Sequence, residues 1–176
     1  MSRALAQVRL AARNNAWANA TFLAALSALP DGAFAAPRPG FFPSLSQTLN
    51  HIHVVDLFYL DVLTEGGRGR AVFDAPDILD PGALADRQAE ADAALVAFCD
   101  TLTEETLDQT RQIARRDGPV REQVGEILPH LFQHQIHHRG QAHVQLHHAG
   151  IAPPQLDEFY MTQGRIASVR AIRGDG

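Results

Sequence analysis

Cysteine is almost absent from this chain of 176 residues: Cys99 is the only one. A single cysteine excludes an intramolecular disulfide and a thiolate cluster for metal, and it fits a reducing cytoplasm. Long apolar runs are missing as well. No stretch approaches the ~18 apolar residues of a membrane span, and the opening Met1-Ser2-Arg3-Ala4-Leu5 lacks a signal-type apolar segment, so a soluble, cytoplasmic protein is expected. Net charge is small, at -5 with a pI near 5.9. The basic residues form no continuous stripe, which argues against nucleic acid or any other polyanion as partner. There is no internal repeat and no low-complexity tract. One well-buried core fits this length and two hardly do, so a single domain over 1–176 is expected, with its core in 3–163 and residues 164–176 as a loosely held tail.

What the sequence does contain is helical periodicity. Leu5, Val8, Ala12, Ala16, Phe22, Leu23 and Leu26 recur at helical spacing from about Arg3 to Leu29, where Pro30-Asp31-Gly32 stops the pattern. Asn15 and Asn19, one turn apart beside Trp17, are read as satisfying buried backbone or bridging to a neighbouring helix. After a proline-rich loop, Ser44 or Ser46 caps a second helix that runs to about Thr64. A third follows Pro81, with Leu84, Ala91, Leu95 and Phe98 on one side. Leu107 to Arg116 alternates weakly before Asp117-Gly118-Pro119 and reads as a short strand or hairpin. The last long helix spans about Val120 to His148, and a short one is expected at Gln155 to Thr162. The fold class that follows is all-α, an antiparallel four-helix bundle with a short additional C-terminal helix.

The chemistry concentrates in that last long helix, where His130, His134, His137 and His138 fall within nine residues. At about 100° per residue, His134 and His138 lie one turn apart and border the apolar arc, while His130 and His137 turn further toward solvent. An HxxxH pair alone occurs by chance on many helices. Its weight rises because the second helix carries His51 and His53 beside Asp56, and bundles build metal sites between facing helices. His51 and His53 flank the apolar arc on opposite sides, so periodicity does not choose between them. Asp56 lies inside the arc, where a carboxylate needs a partner. Arg139 projects at about 140° from His134 toward the apolar side. It is read either as an ion pair with Asp56 or another helix-locking contact, or as a binding group for a substrate carboxylate or phosphate. Gly140 suggests close approach of another backbone. Gln141, above His137, is placed to donate to a metal-bound water.

Three of these motifs taken in order, Asn15-Ala16-Trp17-Ala18-Asn19, Leu49-Asn50-His51-Ile52 with Asp56, and His134-(three residues)-His138-Arg139-Gly140-Gln141, resemble the DinB family over about residues 5 to 150. The resemblance implies a four-helix bundle with the up-down-down-up connectivity of DinB and YfiT-like proteins. It further implies a divalent ion held by His51, His134 and His138, and a homodimer. Relatives with assigned reactions include maleylpyruvate isomerase and low-molecular-weight-thiol transferases, in which the metal activates a cofactor thiolate.

Three histidine ligands with open positions describe a catalytic rather than a structural site, and histidine donors favour zinc or nickel, with iron and manganese also open. No Ser-His-Asp or Cys-His arrangement is legible. The expectation is therefore a metal-dependent enzyme acting on a small molecule, a thiol-dependent transferase or isomerase, or a hydrolase, in which Asp56 and Gln141 orient groups or move a proton. The alternative is a non-catalytic metal- or ligand-binding protein of stress response, its site capped by extra histidines such as His53 or His137.

Overall fold

The computed structural model describes residues 2–163 and 165–173. In chain order these form α1 (Arg3–Ala24), α2 (Leu45–Thr64), α3 (Pro81–Thr101), α4 (Glu104–Asp108), β1 (Thr110–Arg115), β2 (Gly118–Gln123), α5 (Val124–His148) and α6 (Ala167–Arg173). Tight 3-10 turns occupy Ala25–Ala28 and Gly69–Asp74. Three of the four long helices, α1, α2 and α3, begin where the sequence supplies a side-chain cap. Ser2 accepts from Leu5 N, Ser44 from Gln47 N, and Asp80 from Ala83 N with Pro81 following it. Helix α1 packs against α3 and α5, and α2 against α5 and α3.

Three differences from the sequence expectation have physical causes. The molecule is mostly helical but not all-α. Residues 120–123, expected as the start of the last long helix, instead belong to β2 and return antiparallel along β1, with Ile113 opposite Val120. Ile113 is buried in the apolar cluster and anchors the hairpin, while Arg111 Nε donates to Leu63 O across 3.1 Å. The expected helix at 155–162 does not form, because Phe159 leaves the chain to pack on Trp17 at 5.8 Å between ring centres. Helix appears instead at α6, within the segment expected to be a loose tail. There Val169 is fully buried and Ser168 Oγ accepts from Trp17 Nε1 at 3.1 Å. Gly164 and residues 174–176 of that segment lie outside the described residues.

The core is divided along its length. One apolar cluster joins Leu5 and Ala12 to Tyr59, Leu63, Leu95, Cys99, Leu128 and Leu131. A second joins Phe22 and Leu26 to Leu45, Leu49, Leu84, Ala142 and Leu146. Between them on every long helix stand buried polar residues: Asn15 and Asn19 on α1, Asp56 on α2, Gln88 and Asp92 on α3, Gln135 and Arg139 on α5.

Candidate metal centre and the polar layer beside it

Periodicity puts His134 and His138 on one side of α5, and α2 packs on that side with His51. The donor nitrogens of His51, His134 and His138 all lie within 4.8 Å of one another. His51 Nε2 and His134 Nε2 are 3.0 Å apart. Two ligands about 2.0–2.1 Å from one tetrahedral ion stand roughly 3.3 Å from each other, so this spacing suits a shared cation. The ring centres are 5.0 Å (His51 to His134), 4.5 Å (His51 to His138) and 4.4 Å (His134 to His138) apart. Burial, reinforced by the neighbouring imidazoles, lowers the pKa of His51 to about 4 and of His134 to about 3, while burial also lowers that of His138. Neutral rings with available lone pairs are what a divalent ion requires. His134 Nδ1 is buried with no hydrogen-bond partner. The residues therefore fit a divalent ion, which His51, His134 and His138 could hold.

The surroundings fix these rings. His138 Nδ1 donates to Gln141 Oε1 at 2.8 Å, which leaves Nε2 as the free lone pair, and Gln141 Nε2 donates to His137 Nε2 at 3.0 Å. Gln141, expected to address a metal-bound water, is instead held between two histidines and orients one of them. Phe42 covers the cluster, 4.6 Å from the His51 ring and 5.7 Å from that of His138. Its carbonyl accepts from Gln145 Nε2 at 2.7 Å, and Gln145 Oε1 accepts from Thr48 Oγ1 at 2.8 Å. Phe41, edge-on to Phe42 at 4.9 Å, is 76% exposed. His130 and His137 are exposed, and His53 faces away from the cluster toward Gln88.

Asp56 and Arg139 belong to the polar layer and not to the three histidines. Asp56 Oδ2 accepts from Gln88 Nε2 at 2.7 Å and from Gln135 Nε2, while its Oδ1 is buried without a partner. Asp92 accepts from Asn15, Asn19 and Gln88. Arg139 Nη1 donates to Asn19 Oδ1 at 2.6 Å, Asn15 Oδ1 at 3.0 Å and Gln135 Oε1 at 3.4 Å. The direct Arg139 to Asp56 ion pair, one of the readings open from sequence, does not form: amides stand between charge and charge, and Arg139 ties α5 to α1 instead. Two acids share one guanidinium. Burial, together with the charge of Asp92, raises the pKa of Asp56 to about 7, and burial raises Asp92 to about 6. Arg139 also lines a cavity of about 570 Å³ with Asn14, Ile136, Gly140, His143 and Tyr160. The close backbone approach expected at Gly140 does not occur: the space where a Cβ would stand is open.

Gln88, Asp92 and Gln135 were not singled out from sequence, yet a signal existed. Gln88 and Asp92 follow Leu84 by one and two turns on the same stripe as Ala91 and Leu95. Asn15 and Asn19 do bridge to neighbouring helices, as that spacing suggested.

A mostly helical domain whose facing helices bring three histidines within reach of one ion is a candidate metal-binding protein. The chain belongs to the DinB family, whose sequence model matches residues 1–167. It is 27% identical over 150 residues to the protein DinB of Bacillus subtilis strain 168, covering 81% of this chain and 86% of that one. In fold it is similar to a DinB-like crystal structure from Bacillus cereus ATCC 10987, with a TM-score of 0.62 and 21% identity over 79% of this chain and 90% of the other. A DinB-like crystal structure from Bacillus subtilis gives a TM-score of 0.60 and 19% identity over 88% and 98%. No helix among the described residues is long and apolar enough to cross a membrane.

Proposed function

We propose that the protein is a divalent-metal-dependent enzyme acting on a small molecule, with His51, His134 and His138 as metal ligands. The observation that carries this reading is the convergence of three neutral imidazoles from two facing helices within 4.8 Å, one of them with a buried, partnerless nitrogen. The donor set favours zinc or nickel over magnesium or calcium. A bound ion of this kind supplies Lewis acidity and lowers the pKa of a coordinated water or thiol. The chain's own part is to hold the rings: Gln141 fixes the tautomer of His138, and Phe42 keeps bulk water from one side. Phe41 offers an exposed apolar surface at the rim to the body of a substrate or of a low-molecular-weight thiol. Cys99 is no competitor for that thiol role, since burial pushes its pKa up to about 12. Asp56 and Arg139 act at a distance, by setting the rotation of α5.

The architecture is read as an antiparallel four-helix bundle. Support comes from the chain's passage through the two apolar clusters: α1 and α5 run from the first to the second, α2 and α3 from the second to the first. A homodimer is proposed with it, supported by Ile136 and Val144, which expose 55% and 53% of their surface on one face of α5.

The test is metal content, by mass spectrometry, of protein purified without an affinity tag beside His51→Ala and His138→Ala. Stoichiometric zinc or nickel in the parent and its loss in both variants is expected. Equal occupancy in all three overturns the reading. A non-catalytic metal-binding protein of stress response is the second reading, favoured by one observation: Phe42 stacks over the cluster, and neither the cavity at Arg139 nor the cleft at His53 includes any of the three histidines. A cobalt-substituted protein whose spectrum no thiol or anion perturbs would favour it.

A further inference from the structure

On the face of α2 turned from the three histidines, a second cleft of about 680 Å³ opens between α2, α3 and the connector around residues 73–78. That volume lies within the ~300–1,000 Å³ range of small-molecule sites. Its walls are apolar: Val54, Leu57, Leu60, Phe73, Ile78 and Ala91. The connector is not loosely draped over it. Asn50 Oδ1 accepts from Ile78 N at 2.7 Å and Asn50 Nδ2 donates to Ile78 O at 2.9 Å, which holds that wall in place.

One polar side chain of the floor is unspent. Gln88 Nε2 donates to the carboxylates of Asp56 and Asp92, so Gln88 Oε1 is the atom that faces His53 Nδ1, at 3.1 Å. A carbonyl oxygen only accepts, so Nδ1 carries the ring proton and Nε2 carries the lone pair. His53 is 8% exposed, lines the cleft, and its Nε2 makes no hydrogen bond among the described residues. The polar layer of the core therefore dictates, through one glutamine, that the cleft presents an acceptor in an apolar setting. The nitrogen is open to the cleft, so a ligand hydroxyl can take the place of water on it while the body of the ligand covers the apolar walls. At the mouth, Arg87 and Glu90 neutralise each other across 2.9 Å, and Asp77 adds a negative charge that disfavours anions.

We propose that this cleft is a binding site for a neutral, largely apolar molecule bearing a hydroxyl donor, such as a phenol, with the hydroxyl on His53 Nε2. The proposal is independent of the metal centre and needs no ion.

The experiment is calorimetric titration of the full chain with 2-naphthol and with 2-methoxynaphthalene, which has the same body and no donor. Saturable 1:1 binding of 2-naphthol is expected, about tenfold tighter than that of the ether, the worth of one neutral hydrogen bond. Ala94→Trp, placed on the exposed wall, should abolish binding of both, and His53→Leu should erase the discrimination between them. Long-range 15N spectra of histidine-labelled wild-type protein give a readout that needs no variant: on adding 2-naphthol the Nε2 resonance of His53 shifts while Nδ1 stays protonated. No saturable binding of 2-naphthol, equal affinity for the two probes, an unmoved His53 Nε2 resonance, or unchanged binding in Ala94→Trp overturns the proposal.

Discussion

Helix α5 serves two polar clusters at once, and they are built on opposite plans. His134 and His138 join His51 on one side, while their chain neighbours Gln135 and Arg139 join Asn15, Asn19, Asp56, Gln88 and Asp92 on the other. The histidine cluster collects three lone-pair donors of one kind, with no cation of the chain among them. The polar layer contains both signs of charge with amides interposed, so that its members bond chiefly to one another, and among the described residues Asp56 Oδ1 is the one atom of the layer left buried without a partner. One cluster is open to a group from outside, and the other is satisfied from within save for that one oxygen. Their adjacency is useful. A guanidinium bonded to Asn15 and Asn19 of α1 resists rotation of α5, so the position of the adjacent His138 ring is set before any ion arrives.

Breaking the polar layer should have the largest effect. Arg139→Met leaves two buried carboxylates and three amide oxygens without their cation, and a loss of about 3–5 kcal/mol in urea unfolding is expected. His134→Leu in metal-free protein should cost no more than about 1 kcal/mol, because it removes a ring whose Nδ1 is already unpaired. Equal losses in the two variants would dissolve the contrast. Next comes metal affinity, measured by competition with a chelating dye. Gln141→Leu should weaken it by about 10–100-fold through the freed His138 ring, and His51→Ala should weaken it further.

The clusters should also pull stability in opposite directions with pH. The raised pKa values of Asp56, about 7, and Asp92, about 6, mean that the folded protein holds protons that the unfolded chain gives up. Their contribution is complete below pH ~4 and is lost as pH rises toward 7. For His51 and His134, lowered to about 4 and 3, the contribution is complete above pH ~6.5 and is lost as pH falls. Asp56→Asn should therefore gain on the parent as pH rises from 4 to 7, when urea midpoints of metal-free protein are compared. A constant difference would show that Asp56 does not titrate in that window. The smallest effect belongs to a residue of neither cluster. Gly140→Ala, with open space for its methyl, should stabilise by about 0.5–1 kcal/mol in thermal melts.

The parts of this arrangement that follow from local spacing were legible in the sequence. Helical periodicity located the long helices, and the HxxxH spacing put His134 and His138 on a shared face. The choice of His51 over His53 came only with the family resemblance, because both residues flank the apolar arc of α2 equally. The structure turns His53 to Gln88 and His51 to the other two rings. The polar layer was half legible. Asp56 and Arg139 were recognisable as out of place among apolar residues, but their partners depend on how four helices meet. A glutamine on an apolar stripe, such as Gln88, does not say which helix it addresses. The return strand at 118–123 and the docking of α6 depend on long-range burial of Ile113 and Val169, which no local pattern encodes.

Trp17 is the sole tryptophan of the chain, sealed under Phe159 with its indole N–H on Ser168. Its emission is a natural gauge of whether the C-terminal segment is seated, and it sits apart from both the cleft at His53 and the rings at His51, His134 and His138. Fluorescence and circular dichroism will then record separate events on heating: a red shift as α6 lets go, followed by loss of helix as the main body melts.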